Sequence, residues 1–357
     1  MRLYSCACGN RLYFDNTKCT QCGRDVGWCQ GCAAITALEP EGGKFRCLGD
    51  PLGDGSRHLV TLCQNYATEG VCNRTIPEGG GPFCDCCALN ETVPDMSVDG
   101  NRERWARLEA AKRRLIYALD RLGLPFGAGT EPPLSFAFMG DPLDDKLWRK
   151  AGEEERVYTG HADGLITINI QEADPAEREQ IRVDMGEAHR TLIGHFRHEV
   201  GHYYWDLLVR GQCETQFKAL FGDHENPTYS EALERHYNEG APANWEESYI
   251  SAYATMHPWE DWAETWALYL DIASVVDTAE ELGLVPRQQI PSVDEMLRRY
   301  RALGLVLNEL NREMGMLDFA TGVINPAVAG KLEFIDLVVR RAAKPGGGGF
   351  LDKGPAM

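Results

Sequence analysis

The sequence predicts an α+β protein: a mainly helical domain with a small mixed sheet over residues 96 to 343, preceded by small zinc-ribbon modules. Three observations predict it. Twelve of the thirteen cysteines lie before residue 88, in C-x-C and C-x-x-C pairs. Two strand-like pieces, LSFAF and GLITINI, follow a long amphipathic segment. From residue 174 onward the apolar positions recur at helical spacing behind capping residues or prolines.

The bulk numbers set limits. A chain of 357 residues with 43% hydrophobic residues can bury a sizeable core and carry more than one folding unit. A formal charge of -18 repels nucleic acid and anionic membrane surfaces. Residues 1 to 100 are themselves more acidic than basic, which argues against a nucleic-acid reader at the front. Neither a signal peptide nor a run of about 18 apolar residues is visible. The expectation is therefore a cytoplasmic protein, whose cysteines ligate metal rather than form disulfides.

The first module, residues 1 to 28, holds Cys6, Cys8, Cys19 and Cys22. Two close pairs about ten residues apart let two turns donate four thiolates to one tetrahedral zinc, with LYF as a short strand between them. The second, residues 29 to 95, has more cysteines than one site needs. Cys63, Cys72, Cys84 and Cys87 form the preferred quartet for a second structural zinc, leaving Cys29, Cys32, Cys47 and Cys86 over. Spacing equally permits Cys29 and Cys32 to pair with Cys84 and Cys87, so the grouping stays open.

Beyond residue 96 the composition changes. Trp105, Leu108, Leu115, Ile116, Leu119 and Leu122 make a helical stripe, stopped by Gly123 and Pro125. LSFAF at 134 to 138 and GLITINI at 164 to 170 read as strands, the latter with Ile166, Ile168 and Ile170 alternating to one side. Asp174, Pro175 and Glu177 form a capping-box start. Helices are then predicted near 187 to 209, 258 to 276, 292 to 314 and 326 to 342, and residues 344 to 357 read as a flexible tail.

The chemistry sits on the first of those helices, in GHFRHEVGHYYWD. His198 and His202 are four residues apart, which stacks the rings on one face about a turn apart, close enough to hold one ion. Glu199 projects beside them, where a carboxylate can take a proton from water that a metal has already acidified. A third ligand has to come from elsewhere. YYWDLLVRG lacks the Gly and His of the metzincin continuation, and Glu225 in GDHENP sits in a loop-like setting. In MHPWEDWAETWALYL, Pro258 opens a helix that places Glu260 and Glu264 on one face. One of these glutamates completes the site and the other orients a ligand.

The stretches GHADGLITINIQEADPAEREQIR, HFRHEVGHYYWDLL, LFGDHENPTYSEAL and SAYATMHPWEDWAETWALYLD resemble the bacterial family of zinc-binding metallopeptidases with an N-terminal zinc ribbon. The likeness covers nearly the whole chain and implies a zincin-like fold. The spacing Y-x6-E-x3-E also resembles the lethal-factor-type peptidases among the gluzincins. That resemblance implies Glu260 as third zinc ligand, Glu264 as the residue orienting a ligand, and Tyr253 as oxyanion stabiliser. His257, just before the helix, is the competing oxyanion donor. The chain departs from the family at Leu268 and Asp271, where histidines are expected.

The expected function is hydrolysis of peptide bonds by a metal-activated water, with Glu199 as general base, one catalytic zinc and two structural ones. The substrate would be a protein or peptide, added as an extended strand along GLITINI. The ribbon modules are expected to dock substrate or a protein partner. The rival expectation is an inactive, zinc-stabilised binding scaffold.

Overall fold

The computed structural model describes residues 1–49, 57–140, 157, 159–184, 191–288, 291–320 and 323–343. The expected tail and the first residues of the helix predicted at 187 to 209 lie outside them. The chain gathers into two compact units, one of Met1–Ile116, Ser135–Gly160 and Leu165–Ile193, the other of Tyr117–Leu134, His161–Gly164 and Gly194–Met357. Among the described residues no helix is long and apolar enough to cross a membrane.

In the first unit β1 (Tyr4–Ser5) and β2 (Arg11–Leu12) form a two-stranded antiparallel ribbon, in which β2 shares only Leu12 with the predicted LYF strand. A five-stranded antiparallel meander follows: β3 (Val26–Cys29), β4 (Ala34–Glu41), β5 (Lys44–Cys47), β6 (Leu59–Leu62) and β7 (Thr75–Pro77). A single-turn helix, α1 (Gln64–Ala67), lies between β6 and β7. This sheet was not predicted. Its strands are mostly four residues or shorter, too short for an apolar alternation to stand out.

The small mixed sheet is made by β8 (Asn90–Thr92), β9 (Ser135–Met139), β10 (Gly160–Ala162) and β11 (Leu165–Asn169), in the order β10-β11-β9-β8, with β9 parallel to both β8 and β11. Two differences from the sequence reading have local causes. GLITINI ends as a strand at Asn169, because its side chain accepts from the Gln171 N–H at 3.0 Å and opens a 3-10 turn at Ile170. Upstream, Asp163 and Gly164 both take positive φ, the signature of a tight hairpin turn, so GHA becomes the unpredicted β10. GLITINI is thus an interior strand, flanked by β9 and β10, and the edge place expected of it belongs to β10.

Helix α2 (Asn101–Leu122) buries every residue of its predicted stripe. It also buries an ion pair. Lys112 Nζ stands 2.9 Å from Glu109 Oε1, and Asn90 on β8 donates to the same oxygen at 2.7 Å. The ammonium lies over the Phe136 and Phe138 rings of β9, at 5.5 and 5.3 Å, so the pair ties the helix to the sheet. Helix α3 (Pro175–Asp184) begins at the predicted proline.

The second unit is helical: α4 (Leu192–Leu208), α5 (Glu214–Phe221), α6 (Tyr229–Glu239), α7 (Pro258–Glu281), α8 (Val293–Glu313) and α9 (Pro326–Ala342). The starts follow the caps. Ser292 and Asn325 side chains accept from Glu295 and Val328 N–H groups, and Pro258 and Pro326 occupy first-turn positions. Helix α7 runs further than predicted, since no breaker stands before Gly283. It packs against α5, α8 and α9 and is buried nearly all round, as expected of the central helix of a helical layer. The buried Asp261 and Lys331, 2.6 Å apart, pin α7 to α9.

Candidate metal centre

The site lies where α4 crosses α7, wholly within the second unit. Their approach is set by Gly201. A Cβ there would stand 3.0 Å from Ala263 Cα and 3.2 Å from Trp266 Cβ, so only a glycine lets the helices come this close. The Gly201 carbonyl accepts from Trp262 Nε1 at 2.8 Å, and Tyr204 stacks on Trp266 at 4.8 Å between centroids. The contact is backbone against backbone, capped by aromatic rings. It positions the predicted donors of the two helices relative to one another.

One turn of α4 carries His198 and His202, with ring centroids 5.0 Å apart. Glu260, on the first turn of α7 and 2% exposed, aims both oxygens between them: Oε2 lies 3.0 Å from His198 Nε2 and Oε1 lies 3.5 Å from His202 Nε2. One donor atom from each of the three residues falls within 4.8 Å of the others. Glu260 Oε2, although close to His198, receives no hydrogen bond of acceptable geometry. A buried carboxylate oxygen without a donor, facing two imidazole nitrogens, fits a cation between them. Two histidines and one glutamate are donors that zinc accepts.

The surrounding residues fix these donors. His198 Nδ1 donates to Glu264 Oε1 at 2.7 Å, and Ser251 Oγ donates to Glu264 Oε2 at 2.8 Å. This leaves the opposite ring nitrogen, Nε2, facing Glu260. Burial opposes a charge on His198, but Glu260 and Glu264 together outweigh it and raise its pKa well above the ordinary imidazole value. Burial likewise opposes charge on Glu260, and His202 and His198 override it, holding the carboxyl well below its usual range.

On the other side of Glu260, Tyr229 donates to Oε1 at 3.0 Å. Tyr253, whose ring centroid is 6.3 Å from that of His198, is near enough to Tyr229 for the two phenols to act on each other. Burial, then Glu260, then Tyr229 raise the Tyr253 pKa, so its phenol stays protonated. Glu199 is half-buried, near enough to Tyr229 for its charge to raise that phenol too.

His257 is differently engaged. Its Nδ1 accepts from the Trp259 N–H at 3.2 Å, making it the N-cap of α7, and its ring packs edge-on against Tyr229 at 5.3 Å. This capping contact accounts for its position ahead of the helix. Glu225 is exposed and paired with Lys218. Leu268 is buried, and Asp271 pairs with Arg197 of α4.

Sequence reasoning missed Tyr229 and Ser251. Tyr229 opens α6 behind a capping box in which Thr228 and Glu231 bond each other's backbone N–H groups. The box T-x-x-E was legible as a helix start, but nothing in the chain relates position 229 to a carboxylate 31 residues later.

In the first unit the sulfurs of Cys6, Cys8, Cys19 and Cys22 lie within 4.8 Å of one another, as do those of Cys63, Cys72, Cys84 and Cys87. Backbone N–H groups of Arg74, Cys84 and Cys87 point at sulfurs of the second set at 3.3 to 3.4 Å, the pattern that steadies thiolates around a metal. A third trio, Cys29, Cys32 and Cys47, is equally close. Cys86 is excluded from all three sets, and burial pushes its thiol up to about 12.

Comparison with known proteins agrees with these clusters. Residues 101–338 match the model of a family described as "putative zinc-binding metallo-peptidase", and residues 3–98 match a zinc-ribbon domain. Uncharacterized proteins of Mycobacterium bovis and of two strains of Mycobacterium tuberculosis are each 38% identical over 356 residues, covering 96% of this chain and 96% of their own. No solved structure matches the chain. The matched span takes in α4 and α7 together, and on that breadth the chain belongs to this zinc-binding metallo-peptidase family, with a zinc-ribbon domain at its N-terminal end.

Proposed function

We propose that the protein is a zinc-dependent peptidase of gluzincin type, in which His198, His202 and Glu260 hold the metal and Glu199 is the general base. The observation that carries the reading is the incomplete donor set: among the described residues three protein ligands converge within 4.8 Å, where a purely structural zinc takes four. The metal, when bound, supplies Lewis acidity toward water and the scissile carbonyl. The remaining steps belong to the chain. Glu199 accepts a proton from water as its oxygen bonds to the carbonyl carbon. The Tyr253 hydroxyl donates a hydrogen bond to the oxygen that becomes negative. As the C–N bond breaks, Glu199 returns the proton to the departing amine. Tyr229 orients Glu260, and Glu264 orients His198. In this reading the helical unit is zincin-like and the substrate is a protein or peptide, with the ribbon modules docking that substrate or a protein partner.

The oxyanion role is given to Tyr253 on its spacing from Glu260 and Glu264; His257, whose Nδ1 caps α7 and whose buried Nε2 has no hydrogen-bond partner, is the competing donor. The test is digestion of a peptide library followed by mass spectrometry, with wild type beside Glu199→Gln. The variant should retain its zinc and its melting temperature and release no products. A wild type that cuts nothing, or a variant that cuts as well, refutes the proposal.

A further inference from the structure

We propose that Cys29, Cys32, Cys47 and His58 form a third structural zinc site in the N-terminal region, separate from the two four-cysteine clusters. The first three are brought together by the fold. Cys29 ends β3, Cys32 sits in the turn before β4, and Cys47 ends β5. All three are buried and free of disulfides, their sulfurs lie within 4.8 Å of one another, and Cys32 and Cys47 are only 3.3 Å apart. A hydroxyl meets this trio. Thr36 Oγ1 lies 2.9 Å from Cys47 Sγ. Apolar thiols serving as packing need no such donor, whereas metal-bound thiolates do.

A fourth ligand is supplied by strand pairing. In the β5–β6 ladder Arg46 faces Leu59, and the Cys47 N–H donates to the His58 carbonyl at 2.8 Å. His58 is therefore the cross-strand neighbour of Cys47, and their side chains leave the same face of the sheet. The imidazole lies in the lap of the Cys29-Cys32 turn. Its Nε2 is 2.8 Å from where a Cβ on Gly31 would be, with Cε1 at 2.9 Å and Cδ2 at 3.0 Å. Gly31 has no positive φ, so its backbone does not require glycine, and what a Cβ would meet there is the His58 ring. A Cβ on Gly49 would come within 2.5 Å of Thr36 Cγ2 and 3.1 Å of Cys32 Sγ. The ring stands beside the sulfurs rather than among them, lining a surface cavity with Cys29 and Gly31, and to ligate it would have to turn about its side-chain torsions toward the trio.

The consequence is mechanical. β3 to β6 are stapled at the end where β3 turns into β4 and β5 leads to β6. Cys63, which follows β6, belongs to the cluster at the opposite end. A sheet whose strands are mostly four residues or shorter gains from metal at both ends what it lacks in apolar core.

The test uses the full-length protein. Its zinc content by elemental analysis should be about four per chain: two four-cysteine sites, this one, and the His198 site. Cys47→Ser should lower it by about one, and His198→Ala by a different one, so failure here and failure of the peptidase reading are separable. His58→Ala should speed chelator release of a single equivalent more than about tenfold, the least that loss of even an outer partner costs. His58→Cys should restore slow release. In the cobalt-substituted protein, His58→Cys should also move the ligand-field bands toward the four-thiolate position. Should Cys47→Ser fail to fold, the two His58 variants still decide. A wild type holding about three zinc ions with Cys47→Ser unchanged, or a His58→Ala protein matching wild type in release and cobalt spectrum, overturns the site.

Discussion

The crossing of α4 on α7 allows a prediction whose sign is diagnostic. In Gly201→Ala the new methyl would stand 3.0 Å from Ala263 Cα, 3.2 Å from Trp266 Cβ and 3.3 Å from Trp266 Cδ1. Ordinary carbon–carbon contact is about 3.5 to 4.0 Å, and the Ala263 atom is backbone and cannot swing aside, so the helices must part by about 0.5 Å or more. Overpacking of this kind costs about 1–3 kcal/mol. Replacing a mid-helix glycine with alanine returns about 1 kcal/mol through propensity. The net expectation is a loss of about 0–2 kcal/mol, read as a fall in Tm of up to about 8 °C at the size of the helical unit. The same half-ångström exceeds the tolerance of about 0.2 Å on metal–ligand distances. Zinc affinity at the His198, His202 and Glu260 site should therefore drop about tenfold or more in a competitive chelator titration that leaves the thiolate sites loaded. If propensity alone governed, Gly201→Ala would melt higher and bind zinc unchanged. That result would refute the close-packing account.

Other predictions follow from single contacts. Glu260→Ala should weaken zinc binding at the His198 site more than Glu264→Ala, because the first removes a donor and the second only the carboxylate that holds His198 at 2.7 Å; the second should cost about 10–100-fold by isothermal titration, and a reversed ranking exchanges their roles. Lys331→Met should cost about 3–5 kcal/mol in urea unfolding by leaving Asp261 buried without its cation at 2.6 Å, while Lys331→Met with Asp261→Leu should recover most of it; an additive double variant contradicts the pairing. His161 has its pKa lowered to about 4, by burial first and then by His202, so the folded state holds it neutral. Stability from this group is present above the unfolded value near 6.5 and is lost as pH falls toward 4, by about 2–3 kcal/mol. His161→Gln should show a shallower loss between pH 7 and 4.5 by denaturant midpoint, and an identical slope would count against the depressed value.

What the sequence revealed and what it hid divide along physical lines. Helices α7, α8 and α9 were legible because a proline, serine or asparagine marks each start, and those caps act locally. Helix α5 carries no side-chain cap, and α6 has its box inside a stretch read only as part of a motif. The meander stayed invisible because its strands are mostly too short for an apolar alternation to stand out. In the site, His198, Glu199 and His202 share one helical turn, so spacing alone groups them. Glu260 and Glu264 were reachable as two carboxylates on one face of a helix, with resemblance needed to choose between them. Tyr229, Ser251 and Gly201 act across the fold, and chain separation conceals them. The same holds for Cys29, Cys32 and Cys47, whose grouping depends on strand register rather than on spacing.

The central claim is a metal held by three protein atoms with one place left for water. The measurement that tests it most directly is a zinc-edge anomalous difference map from crystals of the full chain. The account predicts a peak bonded to His198, His202, Glu260 and one solvent oxygen. A fourth protein atom closing that sphere, or no peak among those three side chains in zinc-replete protein, would contradict it.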